Sequence, residues 1–318
     1  MKKALVIGAT GGTGAAITEE LVKRGVETIV FGRSQQKLEQ LVHRLGNPAH
    51  VRIQTGDAFR SEDIVAASGG ADVMFHCANV PYHEMESRLI PLGESVMRAA
   101  GQLGIKVVVM DGIYPYGKSQ MDEVTEEHPK RPHTRKGKTR LAYEQMLFSY
   151  SWARERLMIV RLPDYYGPTA NEASYLGSTL DAIAKGRMAF FIGNMSIPRE
   201  YVYLPDAAAM VVELASKEDT YGENWNIPGS GTISGKDIVR IAQQAAGVKK
   251  PVLALGKIGL SLLGLGVPVM KEIVEMLYLT TEPLRLSRKK YETRIGPIVS
   301  TAFEEGIAAT VREIRRSL

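Results

Sequence analysis

The sequence predicts an α/β protein, a doubly wound parallel sheet with a small C-terminal lobe, and three observations carry that prediction. Short apolar runs alternate with amphipathic stretches through the first half of the chain, as expected for strands that each cross through a helix back to the same sheet. A glycine-rich turn, Gly8-Ala9-Thr10-Gly11-Gly12-Thr13-Gly14, separates the first such pair. The chain has 318 residues, 44% hydrophobic and 24% charged, enough for one large domain and a subsidiary lobe.

The elements follow in order. Residues 4–7 form the first strand, and Ile17, Leu21 and Val22 mark the buried face of the helix after it. Residues 28–31 form a second strand and 35–45 a second helix, with further strands at 51–53, 73–75 and 107–110 and a helix at 88–103. Residues 165–168, 198–204 and 227–234 mix Gly, Pro and Tyr with short apolar runs and read as loops that close over a ligand. Residues 120–138, dense in charge, His and Pro, read as a mobile surface loop, and 271–279 and 302–315 as C-terminal helices. The uncharged stretch 258–270 is too short to span a bilayer and reads as a buried or lid-forming segment, with a membrane-surface contact as the lesser alternative. The expected division is a dinucleotide-binding (Rossmann) domain over 1–163. A mainly substrate-binding lobe follows over 164–318, with some segments returning to the first domain.

Composition narrows the partners. The net charge of +5 comes from dispersed Lys and Arg, which suits attraction for small anions and not nucleic-acid binding. Cys77 is the single cysteine, so there is no internal disulfide and no cysteine-based metal site, as in a reducing cytoplasm. The N-terminal apolar run is too short for a signal peptide. The expectation is a cytoplasmic protein with a small-molecule substrate, no metal, no nucleic acid and no membrane partner.

The glycine turn lies between strand and helix. A pyrophosphate needs close backbone approach, which Gly8, Gly11 and Gly14 allow, and unpaired N–H groups at a helix start. Thr10, Gly12 and Thr13 complete the cradle. An NAD-specific site places an acid at the end of the second strand. This chain has Phe31-Gly32-Arg33-Ser34 there. Arg33 can pair with a ribose 2′-phosphate and Ser34 can add a hydrogen bond, so NADP(H) is the expected cofactor and NAD the alternative.

Beside this turn stand Asp57-Ala58 after the third strand, His76-Cys77-Ala78-Asn79 after the fourth, Arg161 to Pro168, and Arg199 to Asp206. Leu286-Ser287-Arg288-Lys289 and Glu304-Glu305-Gly306-Ile307 follow near the C-terminus. In this order and spacing the chain resembles the extended branch of the short-chain dehydrogenase/reductase superfamily, the NAD(P)-dependent epimerase/dehydratase group. The resemblance implies that Asp57, Ala58, Cys77, Ala78, Asn79 and Pro163 line the cofactor site. It implies that Asp164 and Arg199 lie on the substrate side, Arg199 toward an anion, and that a homodimer is an open arrangement.

The resemblance also implies a hydroxyl after the fifth strand and a Tyr-x-x-x-Lys pair on the next helix. Aligned on those motifs, Gly112, Lys136 and Arg140 occupy the three positions. Arg140 can hold ribose hydroxyls but is a poor proton carrier. Lys136 needs a depressed pKa to act as a base. Tyr114 begins a literal Tyr-x-x-x-Lys with Lys118, but Pro115 places it in a turn. It remains a candidate acid/base residue or an aromatic pocket wall. Two functions follow: an oxidoreductase, epimerase or dehydratase with a non-standard catalytic set (Tyr114, Lys136, Arg140), or a non-catalytic NADP(H) sensor.

Overall fold

The computed structural model describes residues 1–119, 121–170, 174–263 and 272–316. The chain begins β1 (Lys3–Ile7), α1 (Gly12–Lys23), β2 (Glu27–Gly32), α2 (Gln35–Arg44), β3 (Val51–Thr55), α3 (Ser61–Ala67), β4 (Val73–His76), α4 (Met85–Leu103) and β5 (Lys106–Gly112). It continues with α5 (Arg135–Phe148), α6 (Ala153–Arg156), β6 (Leu157–Leu162), β7 (Asp164–Tyr166), α7 (Tyr175–Ala184), β8 (Ala189–Ile192), β9 (Arg199–Tyr203) and α8 (Leu204–Ala215). The last elements are β10 (Asn224–Asn226), β11 (Thr232–Ile233), α9 (Gly235–Ala246), β12 (Val252–Leu255), α10 (Lys257–Leu263), α11 (Lys289–Arg294) and α12 (Phe303–Arg316).

Two compact units form. The first comprises Met1–Asp111, Lys138–Arg161 and Ala208–Trp225; the second comprises Gly112–Gly137, Leu162–Ala207 and Asn226–Leu318. The first is built on a seven-stranded sheet in the order β10-β6-β5-β4-β1-β2-β3. β1 pairs in parallel with both β2 and β4, so the order reverses between β1 and β4. Helices cover both faces of such a sheet, which is why its strands read as continuous apolar runs; β4 and β6 are buried throughout. Leu5, Phe31, Met74, Val96 and Val107 belong to one core cluster.

The second unit holds a three-stranded sheet, β11-β9-β7, and a two-stranded sheet of β8 and β12. Its core gathers Tyr166, Leu180, Phe191, Ile238 and Val311.

Several expected loops are structured. Residues 198–204 form β9 and the start of α8, and 227–234 include β11, because Tyr201, Val202, Ile227 and Ile233 are buried. Within 120–138, Val124 is fully buried and exchanges backbone hydrogen bonds with Arg285 (2.8 Å) and Ser287 (2.9 Å). Glu126 accepts from the Asn226 amide at 2.8 Å, and the helix α5 already begins at Arg135. That segment is anchored, not a free surface loop; Gln120 lies outside the described residues. Of the expected helix 271–279, residues 272–274 are helical and Leu277–Thr280 form a 3-10 turn, and Lys271 lies outside the described residues. The apolar stretch 258–270 starts in α10, and its residues 264–270 are likewise outside them. Among the described residues no helix is long and apolar enough to cross a membrane, and no cluster of metal-ligating side chains occurs.

Candidate functional site

The cradle sits where the strand order reverses, the place at which open α/β sheets take ligands. Gly8 has φ +77° and a Cβ there would stand 2.6 Å from the Ala78 backbone. The loops after β1 and β4 therefore touch through a missing side chain. Gly14 is equally constrained, its Cβ position lying 2.2 Å from the Gly8 carbonyl oxygen. Gly11 differs: a Cβ would meet only that oxygen, at 3.4 Å, so internal packing does not require a glycine there. Gly11 is the N-cap of α1 and provides no side-chain cap, so the first amide groups of the helix have no such acceptor. Gly12 is buried, Thr13 half-buried and Thr10 exposed at the rim. This cradle fits a dinucleotide pyrophosphate.

Around it, Arg33 is exposed. Ser34 caps α2, its hydroxyl accepting from the Lys37 amide at 3.3 Å. Asp57 accepts from the Phe59 amide at 3.1 Å and donates its own amide to Asp63 at 2.9 Å. Ala58 packs against the core. Burial pushes the Cys77 thiol up to about 12, against a hydrogen bond with Thr13, so the thiol is unreactive. Pro163 is buried beside β7.

At the end of β5 lies a buried charge ladder. Asp111 receives Arg161 Nη1 at 2.6 Å on one oxygen and Arg140 Nη1 at 3.0 Å on the other. Arg161 also reaches Glu144 at 2.6 Å, and Asn224 donates to the same Glu144 at 2.6 Å. Arg140 Nη2 donates to Asn79 Oδ1 at 3.0 Å. Two cations and two carboxylates balance, which is how such a cluster tolerates burial. Arg140 Nε is buried and makes no hydrogen bond among the described residues. The same holds for both ring nitrogens of His76, which is 1% exposed. Burial first, and the Arg140 charge second, push the His76 imidazole down to about 4.

In the second unit, Lys136 is fully buried, not solvated. Its ammonium binds Glu272 and lies 3.1 Å from Glu275, which also accepts from the Lys136 amide at 3.2 Å. Burial pushes Glu275 up, but the hydrogen bonds and charge of Lys136 with the charge of Arg135 hold it below the usual range. Tyr114 starts a 3-10 turn and is half-buried. Lys118 pairs with Glu282 at 2.7 Å. Arg199 meets Asp164 at 3.2 Å and the Tyr201 hydroxyl. Burial raises Asp164, which Arg199 opposes.

A family model described as the NAD dependent epimerase/dehydratase family matches residues 4–228. The chain belongs to this epimerase/dehydratase family. It is 24% identical over 216 residues to the mouse (Mus musculus) sterol-4-alpha-carboxylate 3-dehydrogenase, decarboxylating, covering 61% of this chain and 53% of that protein. The chain thus spans about half the length of that relative. It is 27% identical to the UDP-N-acetyl-alpha-D-glucosaminuronate decarboxylase of Bacillus cytotoxicus over 76% of this chain and 78% of the other. Among solved structures, dTDP-glucose 4,6-dehydratase from Bacillus anthracis in complex with NAD superposes with TM-score 0.80 at 14% identity, covering 99% of this chain and 97% of that one.

In this epimerase/dehydratase-family chain, the structure joins Arg140 to Asn79 and gives Arg199 its partner Asp164. It leaves Lys136 with glutamates far along the chain. Sequence reasoning missed Asp111, Glu144, Asn224, Glu272 and Glu275 as partners. One signal was present: Arg161 interrupts the otherwise apolar run Leu157–Leu162, and a charge inside a buried strand requires a partner.

Proposed function

We propose that this family member is an NADP(H)-binding oxidoreductase, epimerase or dehydratase with a non-standard proton-transfer set. Its substrate is a small, anionic carbonyl/hydroxyl compound or nucleotide-sugar-like molecule. The observation that carries the cofactor reading is the cradle whose Gly8, Gly11 and Gly14 carry no Cβ, with Arg33 exposed at the end of β2 and no acid at that strand end. A bound nicotinamide cofactor supplies hydride acceptance and donation. The chain supplies the rest. Amides at the start of α1 bind the pyrophosphate, and Arg33 binds the 2′-phosphate. Arg140, held by Asp111 and Asn79, offers its remaining donor capacity to a ribose hydroxyl. Arg199 exchanges Asp164 for a substrate anion. Tyr114 is favoured as proton carrier, because Lys136 is committed to two carboxylates. NAD is the alternative cofactor.

That same commitment of Lys136 favours a second reading, a non-catalytic NADP(H) sensor. The two readings separate on turnover. NADPH oxidation and NADP+ reduction are followed with ketones, aldehydes, hydroxy acids and nucleotide-sugars, and Tyr114→Phe is compared with Lys136→Met. Under the enzymatic reading Tyr114→Phe loses kcat by about 100-fold or more with cofactor affinity unchanged. A parent protein that binds NADPH but turns over nothing supports the sensor. If both variants match an active parent, the assignment of the proton carrier is wrong.

A further inference from the structure

The two-stranded sheet of the second unit carries an outward face that the proposed chemistry does not use. β8 and β12 pair in parallel with Phe190 opposite Leu253 and Ala189 opposite Val252. Register partners in a parallel pair emerge on the same side, and neighbours along a strand on opposite sides. Ala189 and Phe191 turn into the core. Phe190 is 42% exposed and Leu253 49%. Met188 is two residues from Phe190 and 53% exposed, and Ile258, in the first turn of α10, is 79% exposed. Single exposed apolar residues are ordinary; adjacent ones on one sheet face mark an interaction surface.

The charges that flank β8 and β12 in sequence are of one sign. Arg187, Lys249, Lys250 and Lys257 are exposed beside these strands. The chain carries no acid between Asp181 and Glu200, nor between Asp237 and Glu272. We propose that this face docks the protein on an anionic phospholipid surface, with Met188, Phe190, Leu253 and Ile258 entering the headgroup boundary and the flanking cations contacting lipid phosphates and carboxylates. Apolar side chains rimmed by Lys and Arg are the composition that such a surface binds. A second copy is the poorer occupant, because a two-fold contact sets the patch against an identical patch and so brings the cations Arg187, Lys249, Lys250 and Lys257 toward a second set of the same sign.

The test is sedimentation of the full chain with vesicles of phosphatidylcholine alone and with added phosphatidylserine. The parent binds the anionic vesicles, and binding falls as salt approaches 1 M, where the Debye length shrinks to about 3 Å. Each lysine at such a surface contributes about fivefold in affinity, so Lys249→Gln with Lys250→Gln weakens binding about 25-fold. Phe190→Ser with Leu253→Ser also weakens it, with folding checked by circular dichroism; if that variant does not fold, the surface lysine pair decides. Absent binding, or equal binding to neutral and anionic vesicles, overturns the proposal. So does a parent dimer, seen by light scattering, that Phe190→Ser converts to monomer.

Discussion

Arg33 and Arg140 show how a single guanidinium is used in two settings. Arg33 is exposed at a strand end, where its fork of donors is available to a phosphate. A hydrogen bond to a charged group contributes about 1.5–3 kcal/mol, so Arg33→Ala is expected to lower NADP(H) affinity at least about tenfold and leave NAD(H) affinity unchanged. Calorimetry with both cofactors reads this directly, and an unaltered ratio of the two affinities contradicts the assignment. Arg140 instead spends donors on Asp111 and Asn79. It is a positioned group, and its position was legible only as an aligned motif, since Asp111 is 29 residues away. Lys136 was less legible still. Its glutamates lie 136 and 139 residues downstream, and no local pattern links them.

At the scale of elements, the turn between β1 and α1 separates two roles for glycine. Gly14→Val places atoms against the Gly8 carbonyl, so it deforms the turn and lowers stability as well as cofactor binding. Gly11→Val meets no such obstruction in the protein. It is expected to melt near the parent temperature yet lose NADPH binding, because its side chain occupies the path of the pyrophosphate. Thermal melts with and without NADPH check both. Normal NADPH stabilisation of Gly11→Val means that the cradle lies elsewhere. Strands β1 to β5 were readable because strands buried on both faces become apolar runs. β8 and β12 were not, being four residues each and separated by some sixty positions, so that only tertiary pairing defines them. Residues 120–138 look solvated by composition, but Glu126 and Val124 fasten the segment to partners about 100 and 160 positions away.

Across the whole molecule, each unit holds a buried group whose charge is disfavoured, and the two groups, His76 and Glu200, pull the pH dependence of stability in opposite directions. His76, in the first, has its folded pKa pushed down from 6.5 to about 4. Its neutral form is the one that fits, so stability present above 6.5 is lost as pH falls toward 4, a change of roughly 3 kcal/mol. Glu200, in the second, is clamped by the amides of Gly229 (3.0 Å) and Leu286 (2.8 Å). Burial nevertheless raises it from 4.5 to about 7, over the opposing hydrogen bonds and Arg285. Its contribution is full below 4.5 and lost as pH rises through 7, again roughly 3 kcal/mol. Hydrogen exchange of core amides at pH 5 and pH 8 is expected to show the first unit better protected at pH 8 and the second at pH 5. Glu200→Gln should flatten the second trend alone. Parallel trends in both units count against these assignments.

Strand β6 has every residue buried, yet its outer neighbour in the sheet is β10, at Asn224–Asn226. On a ribosome adding about 5–20 residues per second, β6 therefore waits for seconds before its partner is made. During that interval the nascent chain displays Met158, Ile159 and Val160 on an open sheet edge, and Glu144 lacks the donor that Asn224 later brings. An unpaired apolar edge is a template for association with other chains. A sheet begun during synthesis would thus keep that edge open for a time set by translation and not by native stability, and a chaperone that covered it would guard the chain against association.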